Sequence, residues 1–324
     1  MSVQTIFFTG VDISKDSLAA AYRVGGQWRG AEVPNDVDSI RQWASGFDLG
    51  SQHFVLEATG PYSERAVHAL WELGARFSVV NPAQSRAMSK ALMRPNKTDG
   101  QDAMTLCQLG EKLRPNLYRM PTAQQKKRKE AMSALASLQK QEQQLNNQLH
   151  AFSYLVGPNP VAVEALRSVL ASVQAAVRQL EQELALPDGD EEADRAAALI
   201  CSVKCVGTKT AQAVTALFGG LGQFHSAKAF AQFLGLAPTE FRSGSSVRGK
   251  NSISKHGNAK LRALLFNCAR SAIRHNPQCK ELYDRLIAKG KNGSVAFTAV
   301  MHKIARIIFG VVRSGVPYDP KFAI

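Results

Sequence analysis

The sequence predicts a mixed α/β domain followed by an all-helical remainder, and three observations support that fold class. Short apolar runs alternate with helical patterns in residues 1–122, heptad repeats between Ala131 and Leu184 mark a helical segment at residues 123–188, and helical patterns continue through residues 189–324. We expect these three segments to be separate domains. The chain has 324 residues, 45% of them hydrophobic, which is enough to build more than one core.

The first segment alternates strands and helices. Its apolar runs predict strands at residues 5–13, 18–24, 30–34, 53–58 and 76–81, with helices at residues 36–47 and 62–73. The first two strands read as the start of a hairpin, and helices separate the later ones. We therefore expect a mixed sheet that is partly covered by helices.

Two carboxylates lie inside these apolar strands. Asp12 is near the end of the first strand, and Glu57 is near the end of the fourth. A carboxylate in an apolar strand is costly unless it is paired, hydrogen-bonded or metal-bound, although either acid alone could be a strand-end residue that reaches solvent. The chemistry of the two acids therefore depends on which other groups lie near them.

Two more acids begin a later helix. Thr98 followed by Gln101 is a capping-box pattern, which places Asp99 and Asp102 on one face of the first helical turn. For these two residues alone, a well-capped helix is the simpler explanation. Taken with the two strand acids, they form a set that can bind Mg²⁺ and support phosphoryl transfer, as in a nuclease. Lys97 and other basic residues lie just upstream, where phosphates would approach such a site.

The middle segment carries heptad repeats. Apolar residues recur at a spacing of four and three from Leu135 to Val156, with Glu142 as the one break, and again from Val163 to Leu184. Such a narrow apolar seam must find a partner, either in an antiparallel helical hairpin within the chain or in a coiled coil between protomers. Both arrangements remain open.

The last segment contains a serine-rich, basic stretch, residues 240–257, which we call the serine segment. It holds five serines, three glycines and four basic residues, and no acid occurs from Phe241 to Lys280. Such a stretch suits contact with phosphates, and its hydroxyls are candidate nucleophiles, with Ser243, Ser245 and Ser246 equivalent on chemical grounds. The candidate phosphate-binding side chains here are Arg242, Arg248, Lys250 and Lys255.

A short motif before the serine segment resembles a helix-hairpin-helix, whose backbone binds DNA phosphates without reading sequence. It keeps the expected Gly207, Lys209 and Thr210. Lys204 and Cys205 stand where the motif usually has Pro and Gly. We expect Lys209 to contact nucleic acid.

Overall charge indicates a nucleic-acid partner. The chain has 40 Lys and Arg against 26 Asp and Glu, a net charge of +14. Neither a membrane span nor a signal peptide is expected, so we predict a cytoplasmic, nucleoid-associated protein. The five cysteines match no zinc-binding spacing and are expected to be reduced.

Five motifs in this order resemble the one-ten family of insertion-sequence transposases, the DEDD type with a RuvC-like first domain. The resemblance covers nearly the whole chain. The motifs are Gly-Val-Asp12-Ile-Ser-Lys, Leu-Glu57-Ala-Thr-Gly-Pro-Tyr, Asn81-Pro, Asn-Lys-Thr-Asp99-Gly-Gln-Asp102-Ala and Ser243-Gly-Ser-Ser-Val-Arg-Gly.

The resemblance implies a specific activity. The first domain would have an RNase H-like fold in which Asp12, Glu57, Asp99 and Asp102 hold Mg²⁺, and Ser243 would form a transient phosphoserine link to DNA. Such proteins resemble one another in using a structured non-coding RNA to select donor and target DNA, and in assembling as dimers and tetramers. In these assemblies, the acidic domain of one protomer meets the serine domain of another.

Two other functions are compatible with parts of the sequence. The acids alone would suit a RuvC-like, metal-dependent endonuclease that hydrolyses DNA junctions and has no use for Ser243. The charge and the heptads alone would suit a non-catalytic nucleic-acid-binding or assembly protein.

Overall fold

The computed structural model describes residues 5–93, 98–185, 189–239, 242–243, 247–248, 252–254 and 257–321. The chain divides into two compact units, Met1–Met120 and Pro121–Ile324. The two long middle helices belong to the second unit, so a separate middle domain stays a prediction.

A five-stranded mixed sheet of order β3-β2-β1-β4-β5 forms the base of the first unit. Its strands are β1 Phe7–Ile13, β2 Ser17–Val24, β3 Gln27–Pro34, β4 Gln52–Glu57 and β5 Arg76–Val80. The first three strands form an antiparallel meander, β4 runs parallel to β1, and β5 runs parallel to β4. Gly25 and Gly26 both have positive φ at the β2–β3 turn, as a two-residue hairpin requires. Because this tight turn continues the pairing to its tip, β3 begins three residues before its predicted start.

Helices cover both faces of the sheet. They are α1 Val37–Ala44, α2 Glu64–Glu72, α3 Pro82–Ala91 and α4 Asp99–Leu113, with a single 3₁₀ turn at Gly60–Ser63. Alternate residues of a strand enter different cores, since Val11 packs with residues of α1 and α2 while Phe8 packs with residues of α4. The α4 face of the sheet carries the predicted acids.

The second unit is mostly helical. Its helices are α5 Ala123–Phe152, α6 Pro160–Ala185, α7 Glu191–Ser202, α8 Thr208–Phe218, α9 Ala227–Phe233, α10 Ala259–His275, α11 Pro277–Ala288 and α12 Gly293–Ser314. The core includes a stripe of α12 formed by Ala296, Val300, Ile304 and Ile308. The sequence was expected to contain no membrane span, yet α6 and α12 are each long and apolar enough to pass for one. Half of the apolar window of α12 is buried inside the unit, which is typical of a core helix.

α5 and α6 form an antiparallel hairpin within the chain, one of the two predicted arrangements. Glu142, the polar break in the heptad pattern, accepts a hydrogen bond from Gln174 Nε2 at 3.1 Å. Gln139 Nε2 donates to Glu181 Oε1 at 3.2 Å. The seam is thin, because two helices alone cannot enclose a core, and most of its apolar residues are half-buried.

The prediction that the C-terminal part is all-helical was wrong. Four strands of two residues each form two antiparallel ladders in and beside the serine segment: β6 Pro238–Thr239 pairs with β9 Ser252–Ile253, and β7 Arg242–Ser243 pairs with β8 Val247–Arg248. Glycine and serine disfavour helix in this stretch. Strands this short leave no periodic pattern, so the sequence could not indicate them.

Candidate active site

Asp12 and Glu57 lie side by side at one edge of the sheet. β1 and β4 are parallel, with Val11 opposite Leu56, so the next residue of each strand is one of the two acids. Neighbouring strands are about 4.8 Å apart, and equivalent positions on them point to the same face. Both side chains are half-buried. The two strand carboxylates are therefore neighbours.

α4 lies directly on β1 because two glycines leave no side chains between them. A Cβ on Gly10 would lie 2.0 Å from the carbonyl oxygen of Ala103 and 2.3 Å from the backbone nitrogen of Cys107. A Cβ on Gly110 would lie 2.5 Å from Cδ1 of Phe8. The helix contacts Gly10 with its earlier turns and Phe8 with its later ones, so it runs antiparallel to β1.

The first turn of α4 carries the other two acids. The Thr98 side chain accepts a hydrogen bond from the backbone N–H of Gln101 at 3.3 Å, which confirms the predicted N-cap. Asp99 is exposed and Asp102 is half-buried, and the two lie three residues apart on one helical face. This cap therefore fixes the position of both carboxylates in the first turn of α4.

The spacing of α4 and β1 brings this turn level with the strand acids. Asp12 lies two residues beyond Gly10, a rise of about 6.6 Å along the strand. The helical turn that precedes Ala103 rises about 5.4 Å in the same direction and contains Asp99 and Asp102. All four acids therefore gather at one end of the α4–β1 contact.

The four carboxylates interact electrostatically. The pKa of Asp12 is raised from 3.8 to about 6, mainly by burial and then by the negative charges of Asp102, Glu57 and Asp99, in that order. Repulsion of this kind destabilises a fold, so like-charged acids that raise the pKa of a half-buried carboxylate are more typical of a functional site than of a structural one.

Ser85 is a site residue that sequence reasoning missed. Its hydroxyl donates a hydrogen bond to Glu57, and its side chain is buried. Asn81 caps α3 by accepting from the backbone N–H of Ala83 at 2.8 Å, and Gln84 completes the capping box. The Asn81-Pro motif thus fixes the start of α3 and places Ser85 one turn later. That motif was the available signal.

The acids match a hard divalent cation by donor type and charge. Carboxylate oxygens are preferred ligands of Mg²⁺, and the raised pKa of Asp12 reflects its burial and, after that, the negative charge of three other acids, which a cation would offset. Among the residues that the structure describes, no three His, Cys, Asp or Glu side chains are grouped closely enough to bind one ion. Binding an ion would therefore require the carboxylates to move closer together.

Ser243 lies in the β7–β8 hairpin of the second unit. Its backbone pairs with Val247, and Arg242 pairs with Arg248, so these four residues form an antiparallel ladder. Ser245 and Ser246 lie outside the described residues. Ser243 is thus in a strand, not in an irregular loop.

The structure describes only some of the basic side chains that were predicted to contact nucleic acid. Lys97, Lys250 and Lys255 lie outside the described residues, and the structure gives only the backbone of Arg242 and Arg248. Lys209 forms a salt bridge with Glu181 of α6, with 2.6 Å between Nζ and Oε1. The charge of Lys209 is therefore partly neutralised before any phosphate approaches.

The motif around Lys209 consists of two packed helices joined by a short turn. α7 and α8 pack against each other, and Gly207 is the N-cap of α8. Cys205 has a φ of 82°. This left-handed conformation favours glycine, which explains why the motif usually has glycine at that position.

Comparisons with known proteins match both halves of the chain to transposases. Residues 197–284 match the model of the transposase IS116/IS110/IS902 family, and residues 9–154 match a transposase model of the DEDD, IS110 type. The pilin gene-inverting protein of Moraxella bovis is 28% identical over 97% of this chain and 98% of its own length. The transposase of the insertion sequence element IS1111A from Coxiella burnetii is 30% identical over 46% of this chain and 41% of its own length. The two matched segments contain the four acids and Ser243.

Proposed function

Because this chain belongs to the IS110, or one-ten, family of transposases, we propose that it cuts and rejoins DNA through a metal-assisted acidic site and a covalent serine intermediate. DNA recombination is the activity of the family. The observation that carries the proposed chemistry is the raised pKa of Asp12, which three other carboxylates on β4 and α4 reinforce. The strand order β3-β2-β1-β4-β5 supports an RNase H-like fold for the first unit.

The acidic site positions the scissile phosphate. Asp12, Glu57, Asp99 and Asp102 are the residues that would hold Mg²⁺. When bound, the ion supplies positive charge that stabilises the attacking and leaving oxygens of phosphoryl transfer. Ser85 holds the Glu57 carboxylate in place through its hydrogen bond.

Ser243 is the proposed nucleophile. Its oxygen bonds to phosphorus as its hydroxyl proton is lost, and the P–O bond to the departing strand breaks. The departing strand takes up a proton and keeps a free hydroxyl. The phosphoserine bond preserves the energy of the phosphodiester, so a hydroxyl of the incoming strand can reverse the step and release the serine.

The relatives support rejoining rather than cutting alone. The Moraxella protein is named for inverting a pilin gene, and inversion of a DNA segment requires both strand cutting and strand rejoining. As parts of the same proposal, a structured RNA selects the DNA sites and protomers assemble so that acidic and serine sites act on one phosphodiester. The net charge of +14 suits binding of RNA as well as DNA.

A covalent trap tests the serine chemistry. The protein is incubated with Mg²⁺, donor DNA and the RNA transcribed beside its gene, and the products are denatured and separated on a gel. We expect a protein–DNA adduct with the wild type and with the matched control Ser245→Ala, and none with Ser243→Ala. Asp12→Asn should also prevent the adduct.

Two results would contradict this proposal. Cleaved DNA without any protein-linked strand would favour the hydrolytic junction endonuclease. An adduct that persists in Ser243→Ala and disappears in Ser245→Ala would move the nucleophile to the other serine.

A further inference from the structure

The second unit contains a cavity of about 850 Å³ that no proposed step uses. It lies between α11, α12 and the β6–β9 ladder, and we call it the α12 pocket. Pro238 of β6 and Ile253 of β9 line it, and β6 lies only a few residues along the chain from Ser243 of β7. Its volume is typical of small-ligand sites.

The walls of the α12 pocket combine apolar surface with positive charge. Leu236, Ile253, Leu282 and Ile307 provide apolar surface. Three cations also line it: Arg285, Lys303 and Arg306. Within the described part of the chain these three form no salt bridge, and no Asp or Glu lines the cavity.

One stripe of α12 supplies most of these groups. Thr298, His302 and Arg306 follow one another at intervals of four residues, with Ala299 and Lys303 beside them. The opposite stripe of the helix is buried in the core, so the cations are held on a rigid element. Burial and then the charge of Arg306 lower the pKa of His302, which is consistent with a ring close to that guanidinium.

This combination suits one class of ligand. Three cations with no salt bridge to any described residue, together with neighbouring hydroxyls, match phosphate oxygens, and the apolar wall matches the faces of a planar ring. A nucleotide has both parts. A base can enter a cavity only when it leaves the base stack, so the nucleic acid must be single-stranded or locally unpaired there.

We propose that the α12 pocket binds one nucleotide of a single-stranded nucleic acid, with the phosphate on the three cations and the base against the apolar wall. The proposal depends on the proposed function only in taking nucleic acid as the ligand. An unpaired nucleotide held beside β6 and β9 would hold its strand near the Ser243 hairpin.

Equilibrium binding tests the pocket without strand chemistry. Fluorescence anisotropy in EDTA measures the affinity of the full chain for short oligothymidylate, oligouridylate and duplex DNA across a salt series. Arg306→Gln removes a charge, and Ala299→Phe fills the cavity while keeping every charge. Arg313→Gln is the matched control, since Arg313 is exposed two turns further along α12 and does not line the cavity.

We expect both pocket variants to weaken single-strand binding about tenfold, as for loss of one charged contact, and the control to bind like wild type. Arg306→Gln should also lower the salt slope by about 0.7, whereas Ala299→Phe should leave it unchanged. Preference for oligothymidylate would assign the ligand to DNA, and preference for oligouridylate would assign it to RNA.

Photo-crosslinking adds a readout that needs no variant. Oligonucleotides with a thio-substituted base should crosslink to peptides of α11 or α12, with duplex DNA giving much less product. The pocket proposal fails if Arg306→Gln and Arg313→Gln have equal effects, if duplex DNA loses as much affinity as single strands in the pocket variants, or if no crosslink maps to these helices. If the wild-type protein formed no adduct at Ser243 but still bound single strands in the α12 pocket, the serine chemistry would be refuted and the pocket proposal would stand.

Discussion

Replacement of Gly10 by alanine tests how the acids are brought together. The added Cβ would lie 2.0 Å from the Ala103 carbonyl oxygen, whereas ordinary contacts begin at 3.4 Å, so α4 must move by about 1.4 Å. The two closest obstructing atoms, the Ala103 carbonyl oxygen and the Cys107 nitrogen, are backbone, and the third is the Cβ of Leu106, so no rotamer change can relieve the overlap. Overpacking of this kind costs about 1–3 kcal/mol, and a displacement of about 1 Å at a catalytic site lowers the rate about a hundredfold.

Urea unfolding and the adduct assay measure the two effects of Gly10→Ala separately. The matched control is Gly30→Ala in β3, where a Cβ would lie 3.6 Å from the nearest atom, the Ala20 carbonyl oxygen. This control should be neutral or slightly stabilising. If Gly10→Ala were as stable as Gly30→Ala, or lost stability while the folded protein kept full adduct formation, the contact between α4 and β1 would not position the acids.

A second glycine, Gly110, separates overlap with side chains from overlap with backbone. Gly110→Ala meets side-chain atoms, Cδ1 of Phe8 at 2.5 Å and Cγ2 of Val55 at 2.8 Å. We therefore expect Val55→Ala to restore part of the stability lost in Gly110→Ala and none of that lost in Gly10→Ala. Equal rescue of both would refute the distinction between backbone and side-chain overlap.

Substitutions at three other positions, Asp12, Cys205 and Glu142, can be tested by measuring the free energy of unfolding. Between about pH 4 and pH 6 the folded chain holds a proton on Asp12 that the unfolded chain has released, so stability falls as pH rises through this range and stays lower above it. Asp12→Asn in EDTA at pH 7 should therefore be about 1 kcal/mol more stable than wild type, after discounting for partial exposure, and an equal or lower stability would contradict this. The free energy of unfolding of Cys205→Gly should be about 1 kcal/mol higher than that of Cys205→Ala, because only glycine removes the Cβ from a left-handed backbone. Equal free energies would show that no strain is present. Glu142→Leu should raise stability by about 1 kcal/mol by completing the heptad seam, and a loss would show that the Gln174 contact outweighs packing.

The order of elements in the first unit was predictable from local patterns. Apolar runs located all five strands, and the Thr98 cap located the start of α4. Asp12 and Glu57 were noticeable because a carboxylate is out of place in an apolar strand. The pattern could not show how closely α4 approaches the sheet. That approach depends on contacts between residues that are distant in sequence, because Gly10 meets Ala103 and Gly110 meets Phe8 and Val55.

Other features depended on contacts between distant residues. Ser85 contacts Glu57 across 28 positions, and Lys209 pairs with Glu181 across the same separation. A single sequence contains no signal for either pairing. The β-ladders of the serine segment were missed because two-residue strands have no period, and the family resemblance, not the pattern, selected Ser243 among the serines.

The polar contacts inside the α5–α6 hairpin fix the alignment of two otherwise interchangeable repeats. A heptad seam can slide by one repeat and still match apolar residues, which would shift one helix by about 10.5 Å along the other. Such a slide would separate Glu142 from Gln174 and Gln139 from Glu181. These two bonds therefore set how far the tip of the hairpin extends, and with it the reach of the apolar residues exposed there, Tyr154, Leu155 and Val156. The α5–α6 hairpin therefore extends by a fixed length.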